Sequence, residues 1–191
     1  MNLNIIVILT VVILLVIGAV LAYVFYFRQR TRRLKDDFGR EYDRTVGEVG
    51  NRKKAEERLE DRQERIESVQ IRELHSDERE QFLEKWKMLQ TSFVDNPRSE
   101  VKEADRLITE IMLARGYPMA QFDQRAENLS VNHPEIVSQY REAHSIADKN
   151  QQSEASTEEL RQAMLKYRLL INTLLDIQTS EETEPKRTVS Q

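Results

Sequence analysis

The chain has 191 residues, 32% of them charged, and a formal net charge of -4 at pH 7. That acidic balance disfavours nonspecific nucleic-acid binding, which needs a basic surface to meet phosphates. With no cysteine, disulfides, thiolate catalysis, zinc-cysteine sites and iron-sulfur clusters are excluded, and the length leaves room for one soluble domain of ordinary size.

No charged residue precedes Arg28, and Ile5 to Phe27 is an unbroken apolar run. As a helix it would be about 35 Å long, slightly more than a ~30 Å hydrocarbon core. Residues 1–27 are therefore expected to form a transmembrane anchor. The competing reading is a secretory signal, cleaved after Ala22 to release a secreted protein. Met1-Asn2-Leu3-Asn4 lacks the basic start of a signal, and the apolar run is too long for one. Arg28, Arg30, Arg32, Arg33 and Lys35 crowd the C-terminal flank. Loops rich in Lys and Arg stay in the cytoplasm, so the N-terminus is expected outside and the remainder inside. Tyr23 and Tyr26 suit an aromatic belt at the headgroup level. The same five cations are the candidate contacts for anionic headgroups, although a topology signal alone accounts for them.

Residues 28–75 read as a basic juxtamembrane segment followed by a charged helical stalk. A sparse stripe of Phe38, Tyr42, Val46 and Val49 predicts a helix over 31–46, interrupted by Gly47, Gly50 and Asn51. A second helix is predicted over 52–70. As coiled-coil heptads it puts Leu59 and Ile66 at a, Ala55, Arg62 and Val69 at d, and Glu56 at e. That seam would suit parallel self-association, but it is short and a buried Arg62 would oppose it. The simpler expectation is a solvated helix lying partly on its own domain.

Residues 76–178 carry the core pattern. Asp77 and Glu80 suggest a cap for a helix to about Phe93, with Phe82, Trp86, Leu89 and Phe93 on one face. Asn96-Pro97 ends it and opens a central helix to Arg115, closed by Gly116. A short helix over 119–129 precedes a restart at His133-Pro134. Ser156 and Glu159 form a capping box before the last helix, which is predicted to reach about Gln178. Leu165 and Leu169 lie nearly opposite the main apolar stripe of that helix. Either they are covered within the bundle or by the stalk, or they form an exposed protein-binding patch. Residues 179–191 are a polar tail expected to be disordered. The predicted fold is all-α: an anchor, a charged stalk and a bundle of about five helices.

Chemistry-bearing motifs are absent from the sequence. The three histidines, His75, His133 and His144, form no metal-ligand pair at helical spacing, and there is no phosphate loop or nucleophile elbow. No catalytic residue, cofactor or metal is assigned. His144 near Tyr140 could serve as an acid or base in a bundle pocket, but a ring packed at the edge of an apolar face is the plainer reading. Trp86 among Phe82 and Phe93 likewise reads as core rather than a ligand pocket.

Four segments in order, Phe38 to Val46, Ala104 to Pro118, Phe122 to Val137 and Glu154 to Met164, resemble a group of bacterial single-pass membrane-anchored helical proteins. The resemblance implies a bacterial inner or plasma membrane, and it carries no activity, ligand or functional residue. The leading expectation is a non-enzymatic, membrane-tethered interaction module with a cytoplasmic helical domain. Its partners would be the bilayer and either another protein or a second copy through the stalk. The competing class is an anchored enzyme or small-molecule sensor with a polar pocket around Tyr140 and His144.

Overall fold

The computed structural model describes residues 3–118 and 120–176, with side chains from residue 12 onward. Among these residues the regular structure is all helical. Its helices are α1 (Leu3–Phe38), α2 (Arg40–Val49), α3 (Arg52–Glu67), α4 (Ser76–Ser92), α5 (Pro97–Ala114), α6 (Phe122–Asn132), α7 (Pro134–Gln151) and α8 (Thr157–Leu174). The tail and the predicted end of the last helix lie outside the described residues. Two compact units divide between Gln63 and Glu64. The division falls before the expected boundary at 75/76, because Ile66 and Leu74 are buried in the core of the bundle.

In the first unit α1 continues past the apolar run, since nothing between Arg28 and Phe38 breaks a helix. It is long and apolar enough to cross a membrane, and none of its most apolar stretch is buried. Leu14 and Phe25, for example, are 67% and 70% exposed, unlike the core helix of a soluble protein. The chain turns at Gly39, whose φ of 50° lies in the left-handed region that glycine adopts without steric penalty. The predicted break at Gly47 does not occur there, and α2 runs on to Gly50, which closes it with φ 66° and an N–H bonded to the Val46 carbonyl at 3.0 Å. Asn51 Oδ1 then accepts the Lys54 N–H at 3.1 Å and opens α3.

The first unit differs from the solvated helix expected at this place. Leu34, Phe38, Tyr42, Ala55 and Leu59 are all buried. α3 bonds back to α1 and α2, through Arg30 to Glu60, Thr31 to Glu56 and Tyr42 to Glu56. Ala55, Leu59, Arg62 and Ile66 of the heptad seam are buried in the single chain, whereas a parallel pair would need them on its surface. Arg62, 1% exposed, donates to Thr45 Oγ1, so the charge that opposed a coiled coil has an acceptor in its own chain.

In the second unit α8 packs against α5 and α7, α5 also meets α4 and α7, and α6 lies on α7. α4 is capped at a different register from that predicted: Glu78, not Glu80, accepts from the His75 N–H at 2.9 Å and pairs with Arg72. α5 ends in a Schellman motif, with Tyr117 N–H on the Met112 carbonyl and Gly116 N–H on that of Leu113. Gly116 has φ 90°, and a Cβ there would stand 2.8 Å from the Gln70 carbonyl oxygen. Only glycine fits this position. The Ser156/Glu159 box is present as predicted, with Ser156 N–H on Glu159 Oε2 at 2.8 Å and Glu159 N–H on Ser156 Oγ at 3.3 Å.

Candidate functional site

Three places are candidate sites, the first of them the basic flank of α1. One helix turn after another sends its five cations in different directions. Arg30 forms a bidentate pair with Glu60, and Arg33 lies 3.5 Å from Asp37. Arg28, Arg32 and Lys35 instead line a groove of about 680 Å³. Arg52 and Lys53, at the start of α3, form its other wall, with Tyr23, Val24 and Phe27 at its apolar end. The Lys35 ammonium lies 5.2 Å from the centre of the Tyr42 ring, and the Tyr23 ring lies 4.4 Å from that of Phe27, tilted by 48°.

One buried carboxylate holds this arrangement together. Glu56 Oε1 accepts from Thr31 Oγ1 at 2.7 Å and from the Tyr42 hydroxyl at 2.9 Å, with Arg52 Nε 3.7 Å away. Arg52 Nε also donates to the Tyr42 oxygen at 3.1 Å. Burial raises the Tyr42 hydroxyl above the ordinary phenol range, so it stays protonated and donates to Glu56. Sequence reasoning missed Arg52, Lys53 and Glu56. The heptad pattern placed Glu56 one position from the apolar seam, which is where an acceptor facing a neighbouring helix would fall.

The second place is the outer side of α8. Leu160, Ala163, Met164, Tyr167, Leu170, Ile171 and Leu174 are buried, while Leu165 and Leu169 are 41% and 43% exposed. Within the second unit these two leucines are not covered by the bundle. A shallow groove of about 120 Å³ between α4 and α8 lies against Leu165, lined by Trp86, Phe93 and Met164 with Arg161 and Arg168 at its rim. Arg161 is held by Glu158 at 2.6 Å. Among the described residues Arg168 has no ion-pair partner.

The third place surrounds His144. Its ring stacks on Phe122 with centroids 3.6 Å apart, as an edge histidine packing its ring should. Its Nδ1 lies 3.0 Å from Asp105 Oδ1, which also accepts from the Tyr167 hydroxyl at 2.9 Å. An ionised Asp105 can only accept, so Nδ1 carries the hydrogen. Desolvation, followed by the Asp105 charge, raises the Tyr167 hydroxyl far above the phenol range and keeps it a donor. A cleft of about 380 Å³ opens beside His144, lined by Asp123, Arg141, Ser145 and Asp148. Tyr140 does not line it: it is fully buried, with its oxygen accepting from Arg125 Nε at 3.3 Å. Among the described residues no cluster of three or more His, Asp or Glu side chains is placed to hold a metal ion.

No family model matches the chain, nor does any curated protein or solved structure.

Proposed function

We propose that the chain is a non-enzymatic, membrane-tethered protein-interaction module. α1 is its uncleaved anchor, and the cations after Phe27 keep the helical domain on the cytoplasmic side of a bacterial plasma membrane. The observation that carries the reading is the exposure of Leu165 and Leu169, next to a groove whose floor is Trp86, Phe93 and Met164. The occupant is a short amphipathic segment of another protein. Its apolar side would fill that groove, and acidic residues on its edge would meet Arg168. Helix-in-groove recognition of this kind uses apolar anchors at helical spacing and a charged rim.

A photocrosslinking amino acid at position 165 or 169 of the full-length protein in intact cells tests the assignment. A discrete adduct from both positions, absent when the label replaces the more exposed Leu113 (51%) and lost with Arg168→Glu, is expected. Equal labelling from all three positions would overturn it, as would unchanged partners in a Leu165→Glu/Leu169→Glu variant.

A second reading, a small-molecule sensor, draws on the converging polar groups of the His144 cleft. It predicts a metabolite that raises the melting temperature of the wild-type protein but not of Arg141→Ala/Ser145→Ala. A panel of small charged metabolites with no such hit would dismiss it.

A further inference from the structure

We infer that the groove between α1 and the start of α3 is a binding site for one anionic phospholipid, resting on the reading that α1 crosses a membrane. Four observations converge on it. The groove is concave and about 680 Å³ in volume, enough for a headgroup and the first part of an acyl chain. Its two walls carry cations from two helices: Arg28, Arg32 and Lys35 from α1, Arg52 and Lys53 from α3. These belong to a chain whose net charge is -4, so the local sign is opposite to that of the whole.

The carboxylate within the groove does not cancel this. Glu56 accepts from Thr31 and Tyr42 and faces Arg52, so it offsets the Arg52 charge and leaves Arg28, Arg32, Lys35 and Lys53. Arg28 and Arg32 are exposed and have no ion-pair partner among the described residues. Among the described residues Lys53 has only the distant, exposed Glu57 at 3.9 Å, a pair of little strength. Finally, the apolar end of the groove is Val24 and Phe27, the last turn of the run that would lie in hydrocarbon. A phosphate held between Arg32 and Lys53 therefore leaves its acyl chains beside Phe27, in the bilayer. A soluble phosphate would satisfy the cations but leave that apolar end unfilled, which is why a lipid is the assigned occupant. Arg30 and Arg33, on the same flank, are turned to Glu60 and Asp37 and are not part of the site.

The experiment is native mass spectrometry of the full-length protein ejected from nanodiscs of phosphatidylcholine containing a minor share of phosphatidylglycerol. The wild type should retain phosphatidylglycerol in preference to phosphatidylcholine. Arg32→Gln/Lys53→Gln removes one cation from each wall and should lower that ratio about thirtyfold, given the attraction of each cation near an anionic surface. Arg33→Gln/Arg40→Gln removes the same charge elsewhere and should change it by less than about twofold. Equal losses in the two pairs, or no preference in the wild type, would overturn the site. So would displacement of phosphatidylglycerol by inorganic phosphate, which would mark a soluble-anion site. An alkaline carbonate wash of cell membranes separates this result from the anchor reading. Retention in the pellet supports α1 as a span whatever the lipid result, whereas release into the supernatant removes both.

Discussion

In the unit before Gln63, Glu41, Thr45, Glu56 and Arg62 are buried next to Leu34, Phe38, Tyr42, Ala55 and Leu59. Among the described residues after Glu64 the buried polar ones are Asn128, Ser130 and Asn150, set in a continuous apolar core that runs through α4 to α8 and the end of α3. One unit is thus held to a large extent by directional bonds and the other by non-directional burial. Removing a methylene group from an apolar core leaves a cavity whose lining partly relaxes, so damage grows with volume. Removing one acceptor from a buried network strands every donor that pointed at it, so damage follows the number of partners rather than size.

Ile171→Ala, at a fully buried position of α8, sets the scale for the apolar unit and has the largest expected effect, about 2–5 kcal/mol. It is read as a lowered denaturation midpoint and faster hydrogen exchange in α5, α7 and α8. Glu56→Ala removes the shared acceptor in the other unit at an expected cost of about 1–3 kcal/mol, seen as faster exchange in α2 and α3. Unchanged protection there would mean that apolar contacts alone hold the unit.

Tyr42→Phe should cost about 1 kcal/mol by itself. Combined with Thr31→Val it should be non-additive, because both hydroxyls share Glu56 Oε1. A strictly additive pair would break the description of a network. Glu159→Gln is the smallest effect and depends on pH. The bonds from Ser156, with help from Lys149, hold the Glu159 carboxyl at about 2, against an ordinary value of 4.5. Its contribution is therefore complete above about 4.5 and lost as pH falls from there toward 2. The variant should start from a slightly lower denaturation midpoint at neutral pH and lose less across that window, so that the two proteins converge toward pH 2.

The second unit was legible where a local rule decides the structure. Ser156 with Glu159, Gly116 before Tyr117-Pro118, and Asn96-Pro97 each mark a helix end through contacts within a few residues. Gly39 and Gly47 show where such rules fail. Both are single glycines among helix formers, and a lone glycine inside a helix costs only about 1 kcal/mol. Gly47 remains in α2, while the turn back of α2 takes place at Gly39. The heptad pattern correctly identified the inward side of α3 through Ala55 and Leu59 but could not say what covers it. Glu56 meets Thr31 across 25 residues, and Asp105 meets His144 and Tyr167 across 39 and 62. No spacing rule reaches that far. The exposure of Leu165 and Leu169 was similarly undetermined, because the pattern of α8 shows two apolar sides and only the packing of α5 and α7 decides which is covered.

α1 has no break from Leu3 to Phe38, so it extends roughly 16 Å past Phe27 as one piece. An uninterrupted helix behaves as a stiff rod, and Leu34 and Phe38 near its end are buried parts of the folded first unit. If α1 crosses a bilayer as proposed, a change in bilayer thickness alters its tilt, and a rod without a hinge swings its far end by the same angle. The juxtamembrane fold would then register bilayer thickness mechanically, as a dial registers the turning of its shaft.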